Sequence, residues 1–306
     1  MANLPYENFF LENEIEDQFN SHLNLQQFCT VKNELEGQPG MDFIVHRYSA
    51  TDSVEKVLQG YGNTGDSEAS FTEAKYTIQT AQGRFKWYDE EAKKDPTMVL
   101  TGTRHLGTDM FNVINGDIYG EYEKAEIIVP ATSFDFDAFV DAVSMFGLED
   151  DETPTIFAFV APTDVAAIRK ALKDTLQYVE AYARRGYVGT VASVNIYSKS
   201  DATPGAIYVA TKDAVTIFNK TGVEYEAERD ANTRMNRSYV RKYYVVALTN
   251  AAACVKIAKG ATFVATQDTE VVENKDYYVL AGLGYAKVTP ADGDNPKTKG
   301  WYELGE

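Results

Sequence analysis

The chain has 306 residues, 44% hydrophobic and 25% charged, with a formal net charge of -17. That length supports two domains, each with its own core, and the composition is that of an ordinary globular protein. Such acidity repels nucleic-acid phosphates and anionic membranes, so it disfavours tight electrostatic DNA binding, and it would let a container hold DNA without adhering to it.

Residues 1–40 read as an arm. Seven acids (Glu7, Glu12, Glu14, Glu16, Asp17, Glu34, Glu36) face one base, Lys32. Phe9, Phe10, Ile15, Phe19, Leu23 and Leu25 have partial helical spacing, and GQPG ends the segment as a turn. It is too small and acidic to form its own core, so it docks on another surface. Its start, MANLPYENFFLENEIEDQF, has no basic region and reads as no signal peptide. No apolar run approaches membrane-span length.

Residues 41–95 read as an extended hairpin. MDFIVHRY alternates as a strand does, QGYGNTGDSEAS is a loop tip, and AKYTIQTA and GRFKWY are return strands. A hairpin with so few apolar residues must lean on something to be ordered. Asp95 and Pro96 then start a long helix over 97–124, with Leu106, Met110, Val113, Ile114 and Ile118 on one stripe. Gly102, Gly107, Gly116 and Gly120 each weaken it by about 1 kcal/mol against Ala, so packing must hold it. Such small residues also let another backbone approach.

AEIIVPATS is a short strand and turn. FDFDAFVDAVSMFG is an amphipathic helix with Phe136, Phe139, Val140 and Val143 inward and Gly147 as its stop. LEDDETP is an acidic loop and TIFAFVAP a buried strand. TDVAAIRKALKDT is the next helix, capped by Thr163, with Val165, Ile168 and Leu172 inward. AIYVATKDAVTIF gives two strands around a turn. Residues 134–222 therefore alternate helix and strand as a compact α/β unit. Residues 223–260 return to β structure in VEYEAER, SYVRKYYVVAL and CVKIAKG. Residues 261–306 form short aromatic strands between Gly, Pro, Asp and Asn turns, an appended β module. The 20 tyrosines and 16 phenylalanines suit β-rich structure and large interfaces.

No catalytic constellation emerges. The three histidines, His22, His46 and His105, lie in three different elements without metal-ligand spacing. Cys29 and Cys254 stand alone, which excludes a CxxC site and suits a reducing, intracellular setting. GxSxG and GxxxxGK[ST] are missing. In RRGYVGTV, Gly186 and Gly189 follow a helix and enter a strand, the reverse of a phosphate-binding loop, so they read as a turn. LEDDE and DEEAKKD are acid-rich but lack the pattern of a calcium loop. No enzyme, cofactor or metal is expected. The charged residues read instead as contacts between copies: Arg84, Lys86 and Glu90 beside the hairpin; the pair Arg184 and Arg185, as an intersubunit salt bridge or a helix C-terminal cap; and the mixed-sign cluster Glu228, Arg229, Asp230, Arg234, Arg237 and Arg241, as an interface or a solvated strand face.

The order of these parts resembles the major capsid protein of tailed bacteriophages, with the Hong Kong 97-type fold, over roughly 1–260. YTIQTAQGRFKWYDEEAKKDP resembles the end of the extended loop entering the spine helix. FAFVAPTDVAAIRKALKD resembles the axial domain's strand and helix. RRGYVGTVASVNIYSKSDATPGAIYVATKDAVTIF resembles its Gly turn and strands. VEYEAERDANTRMNRSYVRKYYVVALTNAAACVKI resembles the last peripheral strands.

The resemblance implies an α+β fold in six parts: N-terminal arm (1–40), extended β-hairpin loop (41–95), spine helix and first peripheral part (96–133), axial α/β domain (134–222), return peripheral strands (223–260) and the appended module (261–306). Gly186 and Gly189 would turn the chain from the axial helix into a central strand, with Tyr187 and Val188 packed there. It implies copies assembling as hexamers and pentamers into an icosahedral virion shell, made in the host bacterial cytoplasm. The shell would enclose double-stranded DNA without sequence-specific binding or membrane contact, helped by a separate scaffolding protein and a portal. Covalent crosslinks through Lys56 or Lys75 with Asn232 or Asn236 lack a convincing alignment, so assembly is expected to be non-covalent. An encapsulin-like nanocompartment is the alternative on the same fold. A phage tail or cell-surface adhesion protein is the alternative of another class.

Overall fold

The computed structural model describes residues 24–36, 40–50, 56, 57, 59, 62, 69–95, 97–147, 155–171 and 187–305. In chain order it begins with a single 3-10 turn, Leu25–Phe28, and β1 (Thr30–Lys32). Then come β2 (Asp42–Ala50), β3 (Ala69–Thr77), β4 (Gln79–Tyr88), α1 (Asp89–Lys94), α2 (Thr97–Glu123), β5 (Ile127–Ala131), α3 (Phe136–Ser144), β6 (Ile156–Val160) and α4 (Pro162–Ala171). The second half holds β7 (Tyr187–Val191), β8 (Val194–Ser198), β9 (Ala206–Thr211), β10 (Val215–Asn219), β11 (Glu224–Asp230), β12 (Met235–Leu248) and β13 (Cys254–Lys259). It ends with β14 (Phe263–Ala265), β15 (Tyr277–Ala281), β16 (Gly284–Val288), α5 (Pro296–Lys299) and β17 (Tyr302–Leu304).

Helix α2 is the long helix expected from the sequence, and its 27 residues span about 40 Å. The Asp95 carboxylate accepts the Thr97 amide at 3.0 Å, as the expected cap does. The buried face steps through Thr103, Leu106, Met110, Ile114, Ile118 and Tyr122, a spacing of three or four throughout. Val113, assigned to that stripe from sequence, is 51% exposed; it points away because Met110 and Ile114 already occupy the seam. Of the glycines, Gly102 admits a side chain, that of Phe85, and Gly116 and Gly120 face no neighbour. A Cβ at Gly102 would collide with the Phe85 ring of β4, while the Cβ positions of Gly116 and Gly120 meet open space.

Ten strands form the main sheet, in the order β14-β17-β15-β16-β5-β13-β9-β6-β8-β7. Its centre is buried on both faces, so β6 is an unbroken apolar run. Period-two alternation sends Phe157 and Phe159 toward α2, and Ile156, Ala158 and Val160 toward a second core with α3 and α4. In α3 the buried residues are Ala138, Phe139 and Ala142, capped by Asp135. Phe136 and Val140, expected inward, are exposed, because the small alanines let the helix lie close on the sheet. Gly147 has the left-handed φ of +57° that suits a helix stop. In α4, Val165 and Ile168 are buried as expected, but Thr163 is the second helical residue, not the cap. The Ala161 carbonyl accepts the first amides there. Leu172 and the loop 148–154 lie outside the described residues.

A smaller sheet of five strands runs β1-β10-β12-β11, with β4 also paired to β12. β9 and β10, expected as two strands around one turn, enter different sheets, so the turn between them ties the sheets together. The expected hairpin divides in the same way. β2 and β3 pair with each other from Asp42↔Thr77 to Ala50↔Ala69, whereas β4 leaves the ribbon and pairs with β12 over ten residues. Ile78 lies at the divergence and is buried with Val45, Phe218 and Val245.

Gly189 does not form a turn into a central strand. It sits at a β-bulge with φ +149° in β7, an edge strand, where Val188 is partly buried. Gly186 and the Tyr187 side chain lie outside the described residues. Strands β14 to β17 pair onto the main sheet through Tyr285↔Ile128 and Ala286↔Ile127, and a one-turn helix, α5, sits among the expected short strands.

Phe159 is 0% exposed, so Phe159→Ala is expected to cost about 3–5 kcal/mol, while Val113→Ala stays within about 0.5 kcal/mol. Urea unfolding followed by circular dichroism of the unassembled chain checks both. A loss at Val113 equal to that at Phe159 would contradict the packing described.

Candidate functional site

Among the described residues no group of His, Cys, Asp and Glu is placed to hold a metal ion. His105 lies 3.5 Å from Asp109 on the exposed side of α2, and His46 lies on β2; His22 is outside the described residues. The thiols separated in sequence come together around Tyr122. Its hydroxyl donates to the Phe28 carbonyl at 3.0 Å and lies 3.6 Å from the Cys29 sulfur, and Cys254 approaches the Tyr122 carbonyl at 3.8 Å. Burial pushes both thiols up to about 12, which keeps them protonated and unreactive. A cavity of about 480 Å³ lies beside α2, lined by Thr108, Asn112, Lys199 and Asp201 among others. Lys199 is buried there, paired with Asp201 and 4.9 Å over the Tyr119 ring. Its amine is therefore committed, and nothing in the cavity resembles a nucleophile with its base.

Charge is organised instead on the outer face of the five-stranded sheet. Three rows cross β11, β12 and β4 in register: Glu228, Arg237, Lys86; Glu226, Tyr239, Arg84; Glu224, Arg241, Gln82. The acids thus occupy β11, and the bases occupy β12 and β4. Arg237 pairs with Glu228 at 3.3 Å, and Arg241 pairs with Glu226. At the end of the sheet α1 adds Asp89 and Glu90. Arg229 holds Asp89 at 2.8 Å, Asn236 donates to the same carboxylate at 2.7 Å, and Arg234 holds Glu90 at 2.9 Å.

The sequence-expected interface residues therefore divide into three groups. Glu90, Glu228, Arg229, Arg234 and Arg237 come together, but within one chain, as ties between strands and α1. Arg84 and Lys86 share the same face and are exposed, with no partner among the described residues. Arg184 and Arg185 lie outside the described residues. Arg241, read from the sequence as part of the mixed-sign cluster, pairs with Glu226 of the neighbouring strand. Sequence reasoning missed Asp89, which joins the cluster because α1 follows β4, the strand paired with β12. Of the crosslink candidates, Lys75 pairs with Asp42 at 2.7 Å and the Asn236 side chain donates to Asp89, whereas Asn232 bonds Asp230 through its backbone N–H and Lys56 is exposed.

Hydrogen bonds from Arg229 and Asn236 hold the Asp89 carboxyl below its ordinary value. A depressed carboxylate stabilises the fold at pH above its unfolded value of about 3.9, and that contribution disappears as pH falls through its lower folded value. Asp89→Asn is expected to be less stable than the parent at pH 7, with the gap closing below about pH 4. Urea midpoints across pH for both chains test this; a gap independent of pH would remove the carboxylate from the account.

No protein-family model matches the chain. Its sequence is 25% identical over 255 residues to the protein called major capsid protein of Staphylococcus phage phiMR11, covering 80% of this chain and 90% of that one. Solved structures are similar at the level of the fold. The capsid of Ralstonia phage GP4 matches with a TM-score of 0.58 at 11% identity, over 79% of this chain and 90% of that one. The encapsulin of Synechococcus elongatus matches with a TM-score of 0.55 at 9% identity, over 76% and 86%. With its paired sheets, long helix and projecting two-stranded ribbon, the chain has the α+β Hong Kong 97-type fold of tailed-bacteriophage major capsid proteins.

Proposed function

We propose that the chain is a major capsid protein, copies of which self-assemble into the icosahedral shell of a tailed bacteriophage. The observation that carries this is the β2–β3 ribbon on a shell-protein fold. Its nine-residue strands pair only with each other among the described residues, and Phe43, Val45 and Tyr76 at its root pack with Phe218 and Val245. An isolated two-stranded hairpin is marginal in water, so the ribbon calls for a surface on a neighbouring copy. Contacts that are modest singly become strong when repeated around a closed shell. The role is structural. The acidic surface suits a container for double-stranded DNA, held without sequence-specific binding. A separate scaffolding protein and a portal complete the particle, which is made in the host cytoplasm, and the joints between copies are non-covalent. The six-part division expected from the sequence is kept with one change, β4 leaving the extended loop for the five-stranded sheet, and with 261–306 as a sheet extension facing out of the shell.

The likeness to an encapsulin supports a second reading, a nanocompartment enclosing protein cargo. The phage protein's sequence likeness over 80% of this chain favours the virus.

Expression with the genomic neighbours, followed by negative-stain electron microscopy, is expected to give closed shells or sheets of hexamer-like units. Nucleic-acid content then separates virus from nanocompartment. Removing the hairpin tip (51–68) is expected to leave a folded chain that makes no shells. A parent chain that stays monomeric under every condition would overturn the shell reading.

A further inference from the structure

The outer face of β4 carries two cations without a partner among the described residues, Arg84 and Lys86. They stand two residues apart, so both project from the same face, about 6.6 Å apart. Tyr88 continues their row and is 38% exposed, and Tyr239 lies directly across from Arg84. Strand β12 cannot neutralise the pair, since Arg237, opposite Lys86, is itself a cation and is engaged by Glu228. The loop 266–276, between β14 and β15, has the complementary pattern. Val271 and Val272 are 37% and 48% exposed and lie between two exposed acids, Glu270 and Glu273. This apex is pinned outward. Lys275 reaches Asp268 at 2.8 Å and also Glu303 of β17. The Tyr277 hydroxyl donates to Asp268 at 3.0 Å and accepts the Val272 amide at 3.0 Å. A loop already ordered loses little further freedom on binding.

We propose that the Arg84–Lys86 face takes up the 270–273 apex of a second copy, Glu270 and Glu273 meeting the two cations and Val271 and Val272 covering the tyrosines. Three residues span at most about 10 Å, so the two carboxylates reach cations about 6.6 Å apart. Matched charges set the register, and the valine–tyrosine contact excludes water from it. Other acids fit less well. Glu226 and Glu228 already hold arginines. Asp137 lies in the first turn of α3, where the helix N-terminus already favours it, and Asp141 is half-buried. A phosphate chain is disfavoured, because Glu224, Glu226 and Glu228 line the same sheet face. The loop joins strands of the ten-stranded sheet, whereas the cations belong to the five-stranded one. A contact between two different patches is head-to-tail, and such contacts close into rings when the rotation allows. This docking rests on the reading that copies of the chain associate, and it gives the appended module a part in that association.

Zero-length carbodiimide coupling of an equal mixture of isotope-labelled and unlabelled full chains, mapped by mass spectrometry, tests the contact directly. Lys86 is expected to form amides with Glu270 or Glu273, labelled chain to unlabelled chain included. The double change Glu270→Gln and Glu273→Gln should lower total Lys86 coupling at least tenfold. The Lys275–Asp268 and Lys287–Asp276 pairs, at 2.8 and 2.7 Å, serve as internal standards. If these couple while Lys86 joins only other acids, such as Asp137 or those of β11, or joins none, the docking is overturned. Links from Lys86 to Glu270 or Glu273 that never cross between labelled and unlabelled chains overturn it equally. Coupling is read on every associated species, closed or not. Shells that form without these links would leave the shell reading standing and sink the docking, whereas these links in species that never close would do the reverse.

Discussion

Phe28 sits where three parts of the chain meet, and the arrangement of the rest follows from that contact. Its ring packs on Phe157 at 4.9 Å, on Phe159 at 5.3 Å and on Tyr197 at 4.6 Å, all from the main sheet. Its carbonyl accepts the hydroxyl of Tyr122 from the last turn of α2. Asn115, midway along the same helix, accepts the Leu25 amide at 3.1 Å. The end of the arm is thereby wedged between the long helix and the sheet. The hydrogen bonds contribute about 1 kcal/mol each, whereas burying the aromatic side chains contributes about 1.5–3 kcal/mol apiece. Burial therefore sets the joint, and the hydrogen bonds set its register. The same balance explains why α2 survives its glycines. Four of them cost about 4 kcal/mol against Ala, less than the burial of Leu106, Met110, Phe111, Ile114, Ile118, Tyr119 and Tyr122 returns.

With that joint rigid, the two sheets cannot move independently. β9 and β10 are consecutive strands in different sheets, and Tyr244 of β12 donates to Asp117 of α2. The centre is closely packed, and among the described residues β4 and β11 each pair on one side only. Such a division suits a subunit that keeps its shape while its edges find neighbours. Apolar burial is spent inside, and strand edges and charge remain for assembly.

The sequence made the double-buried parts legible and the one-sided parts less so. TIFAFVAP reads as a buried strand because both faces of β6 are covered, leaving no ambiguity of phase. In α3 the helical pattern and half of the inward face were correct: Phe139 is buried and Val143 packs against the core, whereas Phe136 and Val140 are exposed. Phe136 and Val140 are large and apolar, yet Ala138 and Ala142 face the sheet, because a close-packed joint needs small residues as much as apolar ones. Val113 failed for a related reason, since a stripe read from spacing is wider than the seam it meets. The charged cluster at 228–237 was found, but its strand register was not written in it. Closing β11 on β12 turned expected intersubunit bridges into intrachain ones and left Arg84 and Lys86 without an acidic partner among the described residues. The joint at Phe28 carries no motif at all; an arm of ordinary residues becomes a wedge only once Tyr122 and the β6 phenylalanines surround it.

Net charge limits how such a subunit can assemble. Copies carrying -17 each repel one another at long range, although at physiological salt that repulsion fades over about 8 Å. Attraction must therefore act at contact distance, through strand pairing and aromatic burial, with opposite charges matched locally. On the charged sheet face Glu226 and Glu228 already hold Arg241 and Arg237 within the chain, so among its described residues Arg84 and Lys86 are the bases left for a neighbour's acids to match. Long-range repulsion also penalises unspecific clumping. The acidity that would hinder a simple aggregate then becomes a source of selectivity, because only contacts with matched edges outweigh it.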